Sequence, residues 1–320
     1  MTPINLSFAI VLLLMTARAF AGEVMTVPGP QGPLKGEAIL VPGAAAGIII
    51  IPGSGPTDRD GNGSAGIRSD SYKLLAEGLA KAGLSSLRID KRGFFGSSDA
   101  IANPEDVTIA NYATDVRAWH DAFAERVGTD CVWIAGHSEG GLVALVAAAG
   151  GLKPCGLILL STPGRRISDL MREQLRHNPL NGPYLGELDR ILSGLERGEM
   201  QDVAAISAPL QPLFREGLQR YMIGLFSYDP KQVATGITLP TLIVQGDKDV
   251  QVTMVDAQLL AQALPQAKLS ELHGVTHMLK QDVAGAPLAT YRNPDLPLDP
   301  KVAPTIADFV RSTRSAQRDG

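Results

Sequence analysis

Gly136-His137-Ser138-Glu139-Gly140 sets a serine between two glycines. A serine hydroxyl is a poor nucleophile until a base removes its proton. The pattern suits a hydroxyl mounted on a sharp turn from a strand into a helix. Such a turn is strained, and its neighbours must lack side chains for it to close. The setting agrees: residues 131–136 (CVWIAG) read as a buried strand, and residues 140–149 as an Ala-rich helix. The turn would lift the Ser138 hydroxyl clear of the sheet edge. It would also aim the Glu139 amide and the helix N-terminus at the same point, where an oxyanion could form. The alternative is a structural tight turn with no chemistry.

An activated serine needs a histidine, and the histidine needs a carboxylate. The chain has five histidines. His120 falls on an amphipathic helix and reads as a surface residue. His137 is too close in sequence to turn back on its neighbour's hydroxyl. His177 lies among the helical stretches of 164–236. His273 ends a strand and would shape a loop. His277, in Gly274-Val275-Thr276-His277, follows that strand and is the expected base. The carboxylate should come from Gln245-Gly246-Asp247-Lys248-Asp249-Val250. Asp249 has the reach past its strand, whereas Asp247 would cap the loop through its own side chain. A second oxyanion donor is expected in Pro52-Gly53-Ser54-Gly55-Pro56, where glycines allow close backbone approach. The Ser54 amide is the candidate beside that of Glu139.

Two other clusters carry concentrated charge. Asp58-x-Asp60-x-Asn62-Gly63 matches the first half of a calcium loop, but its twelfth position is Ser69, not a bidentate glutamate. Asp58-Arg59-Asp60 is therefore expected to be a hydrogen-bonded loop braced over the site, and no metal ligand set is assigned. Lys91-Arg92-Gly93 is too short for a basic patch and reads as a turn braced by Arg92. The formal net charge of −4 carries no basic block, which argues against a nucleic-acid partner.

Strands must hold these residues. Residues 47–51 (GIIII) form a continuous β-branched run, the mark of a strand buried on both faces. Further strands are expected at 35–41, 85–90, 156–160, 241–245 and 267–272. Helices are expected at 70–82, 109–125, 253–263 and 301–312. On 109–125, Tyr112, Val116, Trp119 and Phe123 recur at helical spacing. The alternation predicts an α/β fold with a mostly parallel sheet. It stops between 164 and 236, where helical stretches are broken at Asn178-Pro179, Gly182-Pro183 and Ala208-Pro209. That stretch reads as a helical cap inserted between a core of 22–163 and its second part, 237–320. The stripe Leu218, Met222, Leu225, Phe226 would be either cap core or acyl-pocket lining.

The apolar run at residues 8–15 (FAIVLLLM) precedes Ala19-Phe20-Ala21, a small-x-small cleavage signal. Residues 1–21 are expected to be a signal peptide, cut after Ala21, which sends the chain to the periplasm or outside the cell. An uncleaved anchor or a buried helix is the alternative. No stable membrane insertion is expected after cleavage. Cys131 and Cys155, the only two cysteines, stand at the starts of strands expected to be neighbours. Neighbouring strands lie about 4.8 Å apart, within disulfide range. Directly paired positions, however, hold their Cβ atoms slightly too far apart. Both a disulfide and a pair of buried thiols remain open.

The phrases GSGPTDRDGN (53–62), RIDKRGFFGSS (88–98), GHSEGG (136–141) and PLFREGLQRYMIGLFSYDP (212–230) resemble an esterase-like and acyl-peptidase-like branch of the α/β-hydrolase superfamily. The chain order Ser138, Asp249, His277 is that superfamily's order. The resemblance runs from about residue 30 to residue 315. It implies an eight-stranded sheet, a helical cap between the sixth and seventh strands, and hydrolysis of a small-molecule ester or acyl substrate without a cofactor. Many relatives begin the oxyanion loop with His-Gly, where this chain has Pro52-Gly53. Amide or small-peptide hydrolysis would use the same residues. A dehalogenase would carry Asp in place of Ser138, and a non-catalytic binding module would be expected to lack a triad member.

Overall fold

The computed structural model describes residues 22–64 and 66–319. The expected signal peptide and its cleavage site lie outside the described residues. Eight strands form one sheet: β1 (Gly22–Pro28), β2 (Pro33–Ile39), β3 (Gly47–Ile51), β4 (Ser85–Ile89), β5 (Trp133–His137), β6 (Leu157–Leu160), β7 (Thr241–Gly246) and β8 (Lys268–Leu272). Their order is β1-β2-β4-β3-β5-β6-β7-β8. The pairs β1–β2 and β2–β4 are antiparallel, and every later pair is parallel. The sheet is thus eight-stranded and mostly parallel, as expected.

β3 shows why the sheet is central. All five of its residues are buried. Ile49 and Ile51 enter one apolar cluster with Trp119 and Phe123, while Ile48 and Ile50 enter a second with Tyr72 and Leu75. Side chains alternate across a strand, so a strand clothed on both faces must be apolar throughout. The first face is covered by α2 (Ile109–Val127), α3 (Glu139–Ala149) and α8 (Met254–Ala263). The second is covered by α1 (Ser71–Lys81) and α10 (Val302–Asp319). α2 starts on a capping box of Thr108 and Asn111 and stops at Gly128, whose φ of 70° few other residues tolerate.

Between β6 and β7 the chain forms α4 (Ile167–His177), α5 (Leu185–Glu196), α6 (Glu216–Phe226) and α7 (Pro230–Ala234), joined by short 3₁₀ turns, with no strand among the described residues. A short α9 (Ala289–Arg292) precedes α10. Where the chain leaves for the cap, buried Asp256 accepts from Gly164 N at 3.1 Å and pairs with Arg165 at 3.0 Å. Among the described residues no helix is long and apolar enough to cross a membrane.

Three expectations need correction. β1 was not foreseen, because its Gly- and Pro-rich surroundings masked an exposed edge strand. His120 is buried, not on the surface. It stands four residues after Val116, so the helical period carries it onto the covered face. Arg92 braces not a local turn but the distant α2, through Asp115 at 2.9 Å.

Cys131 and Cys155 are joined in a disulfide with a Cα–Cα distance of 5.3 Å. They are not directly paired. The Cys155 amide donates to Val132 O, which places Cys131 one residue off the facing position. That diagonal offset removes the geometric objection to bonding across the sheet.

Candidate active site

Ser138 sits between β5 and α3 with φ 54° and ψ −123°. A positive φ is costly for any residue with a Cβ, and such strain gathers at functional sites. The flanking glycines are required by crowding. A Cβ on Gly136 would collide with Gly140 O, and one on Gly140 with Ile51 O. The elbow therefore closes only because two side chains are missing.

β7 and β8 deliver the other two groups at the same sheet edge. His277 Nδ1 lies 2.8 Å from Asp249 Oδ2. Both residues are buried. Asp249 Oδ1 also accepts from the amides of Gln251 at 2.9 Å and Val252 at 3.0 Å. Burial alone would raise its pKa. The neighbouring His277 and the donated hydrogen bonds outweigh burial and hold the carboxyl below its ordinary value. Asp247, by contrast, accepts from Gly274 N at 2.6 Å and pairs with the exposed His273 at 2.6 Å. The structure thus brings Asp249, not Asp247, to His277.

Ser138 and His277 line one cavity of about 100 Å³, together with Gly53, Ser54, His137 and Tyr291. No direct hydrogen bond joins the Ser138 hydroxyl to the His277 ring among the described residues. Such bonds are often long without substrate and tighten on binding. Ser54 lies in this cavity too, and nothing in the described chain accepts from its amide or from that of Glu139. Gly53 is packed tightly beside the elbow: a Cβ there would stand 3.3 Å from Ser138 Cβ.

A hydrogen-bond chain runs beneath the site. Gly53 N donates to the Tyr72 hydroxyl at 3.0 Å, Tyr72 meets His137 Nδ1 at 2.8 Å, and His137 Nε2 meets the His277 carbonyl at 2.8 Å. The two ends fix every proton. The amide can only donate and the carbonyl only accept. His137 must therefore carry its proton on Nε2, and Tyr72 must donate to Nδ1. Burial and the neighbouring His277 push the His137 pKa down to about 3. Tyr72 is pushed well above its usual value, by burial first.

Two residues of this constellation escaped sequence reasoning. Tyr72 was read only as part of a helix face, although a buried tyrosine needs a partner for its hydroxyl. Lys91 was read as part of a turn. It is buried, its Nζ donates to Gly53 O at 2.6 Å, and it pairs with Glu139 at 3.0 Å. Its position just past the C-terminal end of a strand was the available signal, since that edge is where such sheets place their sites.

The Asp58 loop is tied inward. Asp58 Oδ1 accepts from the amides of Asp60 at 2.9 Å and Asn62 at 2.8 Å, and Arg59 pairs with Asp90 at 2.5 Å. Asp60 pairs with buried Arg88. A second cavity, of about 130 Å³, lies between core and cap, lined by Phe94, Val107, Tyr112, Leu218 and Tyr221. Of the cap stripe, only Leu218 faces it. Met222, Leu225 and Phe226 are buried in the core cluster.

Comparison with known proteins agrees with the fold. Est1E of Butyrivibrio proteoclasticus superposes with a TM-score of 0.56 at 18% identity, covering 92% of this chain and all of that one. An esterase of Pyrococcus furiosus gives 0.59 at 14% identity, covering 92% and 91%. These likenesses concern the fold. Esterase EstD of Thermotoga maritima is 26% identical over 249 residues, which is 77% of this chain and 53% of that one. The chain thus spans about half the length of this curated relative. Residues 39–289 match the model of a family described as the alpha/beta hydrolase family. With the sheet order, the elbow and this match in hand, the chain belongs to the alpha/beta hydrolase family.

Proposed function

We propose that this protein hydrolyses carboxylic esters through an acyl-enzyme on Ser138. The observation that carries the reading is the convergence at the C-terminal ends of the strands: a strained, half-buried serine and a histidine held by a buried carboxylate share a single cavity. His277 takes the Ser138 proton on Nε2 as Ser138 Oγ bonds to the ester carbonyl carbon. Asp249 stays ionised and holds the ring with its other proton on Nδ1. The amides of Ser54 and Glu139 receive the developing oxyanion. The proton returns to the departing alcohol, and a water deprotonated by His277 then releases the acid. The cavity between core and cap holds the acyl group, in contact with Leu218 and Tyr221.

Labelling with a fluorophosphonate, mapped by mass spectrometry, tests this reading. Ser138 should carry the label, and Ser138→Ala should lose both label and p-nitrophenyl ester turnover while keeping its fold. Retention of more than about a tenth of the activity would overturn the assignment. Faster turnover of small-peptide amides than of any ester in a parallel panel would replace the ester reading with a peptidase one.

We also infer that the chain is exported. The disulfide supports this, because such bonds persist in oxidising compartments. The intact mass of protein from the exported fraction should correspond to a chain beginning at Gly22. A cytosolic, full-length product would refute it.

A further inference from the structure

We propose that Lys91 and Glu139 form a buried brace that sets the oxyanion hole. The proposal rests on the ester-hydrolase reading and deepens it. Gly53 C=O and Ser54 N–H belong to one peptide unit. That unit is planar and trans, so its carbonyl and its amide point in opposite directions. Lys91 Nζ holds Gly53 O at 2.6 Å. The Ser54 N–H is thereby held pointing away from the Lys91 ammonium, and Ser54 lines the cavity that it shares with Ser138. A cation on the carbonyl also polarises the peptide and makes its N–H a better donor.

The same lysine is bonded to the residue that supplies the other donor. Lys91 Nζ lies 3.0 Å from Glu139 Oε1, with side-chain exposures of 2% and 1%. Glu139 is the first residue of α3, and its own amide is the second oxyanion donor. One ion pair therefore joins the two backbone segments that must converge on a single oxygen. The ring of Tyr112 lies 4.9 Å from Nζ and closes the remaining side. Tyr72 holds Gly53 N from the other direction at 3.0 Å. With both its amide and its carbonyl fixed, Gly53 has little freedom to rotate the following peptide. Lys91 and Glu139 are positioning residues: neither side chain touches the reacting atoms.

The test compares two variants against an alkyl trifluoromethyl ketone. Ser138 Oγ bonds to the ketone carbon, its proton passes to His277, and the C=O π pair becomes a lone pair on the oxyanion. Inhibition by this compound therefore reads the hole directly. Lys91→Met should lower kcat roughly tenfold to a hundredfold with KM within about threefold. The ketone Ki should weaken by the same factor as kcat/KM. Lys91→Met leaves Glu139 buried without a partner, so Lys91→Met with Glu139→Gln is the companion. The double variant should fold and keep the loss in both kcat and ketone affinity. An unchanged ketone Ki in either folded variant overturns the proposal. So does a double variant that regains full kcat, or one that also fails to fold, since either outcome makes the pair a purely structural one. If the ketone does not inhibit the wild-type protein, the ester-hydrolase reading itself fails, which is a distinguishable result.

Discussion

Asp247 and Asp249 are two residues apart, yet their surroundings assign them different work. Asp249 is buried against His277, while Asp247 serves an exposed histidine and a loop amide. Asp249→Asn should therefore cost about 10⁴ in kcat, because an amide cannot hold His277 in the tautomer that leaves Nε2 free to accept. Asp247→Asn should leave kcat within about threefold, in line with the small worth of exposed ion pairs. Steady-state kinetics with one ester decides between them; equal losses would move the acid to Asp247. His137 makes a separate prediction. Its folded pKa is about 3, against an unfolded value near 6.5. The unfolded chain then binds more protons in that window, so stability rises with pH across it and is lost as pH falls from about 6.5 toward 3. The slope from this one group approaches about 1.4 kcal/mol per pH unit. Urea titrations between pH 6.5 and 4.5 should show it, and His137→Gln should flatten it. An identical slope in that variant would mean that the acid loss has another origin. Ser138 and Asp249 could be picked out as candidates because each follows a fully buried apolar strand, and His277 because it follows the strand after that. Tyr72, His137 and Lys91 could not, since their roles depend on which loops meet in space.

The helical stretch between β6 and β7, at the scale of the element, divides into residues buried in the apolar cluster and residues that face the cavity beside it. Phe226 is 1% exposed within the core cluster. Phe226→Ala should cost about 3–5 kcal/mol of stability with little change in acyl preference. Leu218 and Tyr221 line the cavity between core and cap. Leu218→Ala should instead shift the preferred p-nitrophenyl ester toward a longer acyl chain, at a stability cost well below that of the Phe226 variant. Thermal melts beside an acyl-length series separate the two; a selectivity change from Phe226→Ala alone would reverse the assignment. The period of two or 3.6 residues revealed the sheet and its main helices, but it could not say which side of the cap stripe meets the cavity. That choice is made by packing against Phe94, Val107 and Tyr112, far away in sequence. β1 failed to announce itself for a related reason: as an edge strand, with most of its residues exposed or half-buried, it needs no apolar run.

Across the whole molecule, the disulfide and the candidate active site occupy opposite ends of the sheet. Cys131 and Cys155 precede β5 and β6, whereas Ser138, Asp249 and His277 follow β5, β7 and β8. Replacing both cysteines by serine should therefore lower stability by roughly 3–4 kcal/mol in the chain-entropy account, for a cross-link spanning 24 positions, while leaving kcat within about twofold. Denaturant midpoints and initial rates on the same sample check both halves; a large loss of kcat in folded protein would contradict the separation. The neighbouring strands and the proximity of the two thiols followed from the βαβ pattern, but their bonding depended on a one-residue diagonal that no sequence pattern specifies. The order of the elements also bears on how the protein is made. A ribosome delivers the serine elbow before half of the chain has been synthesised, and the cap after it. The acid and the base arrive only with the last quarter, on β7 and β8. Until those two strands dock, the nascent chain carries a serine with no base and no acid beside it. On the proposed reading no turnover is possible until β7 and β8 stand in the sheet, so the first turnover of a newly made molecule reports that both have docked.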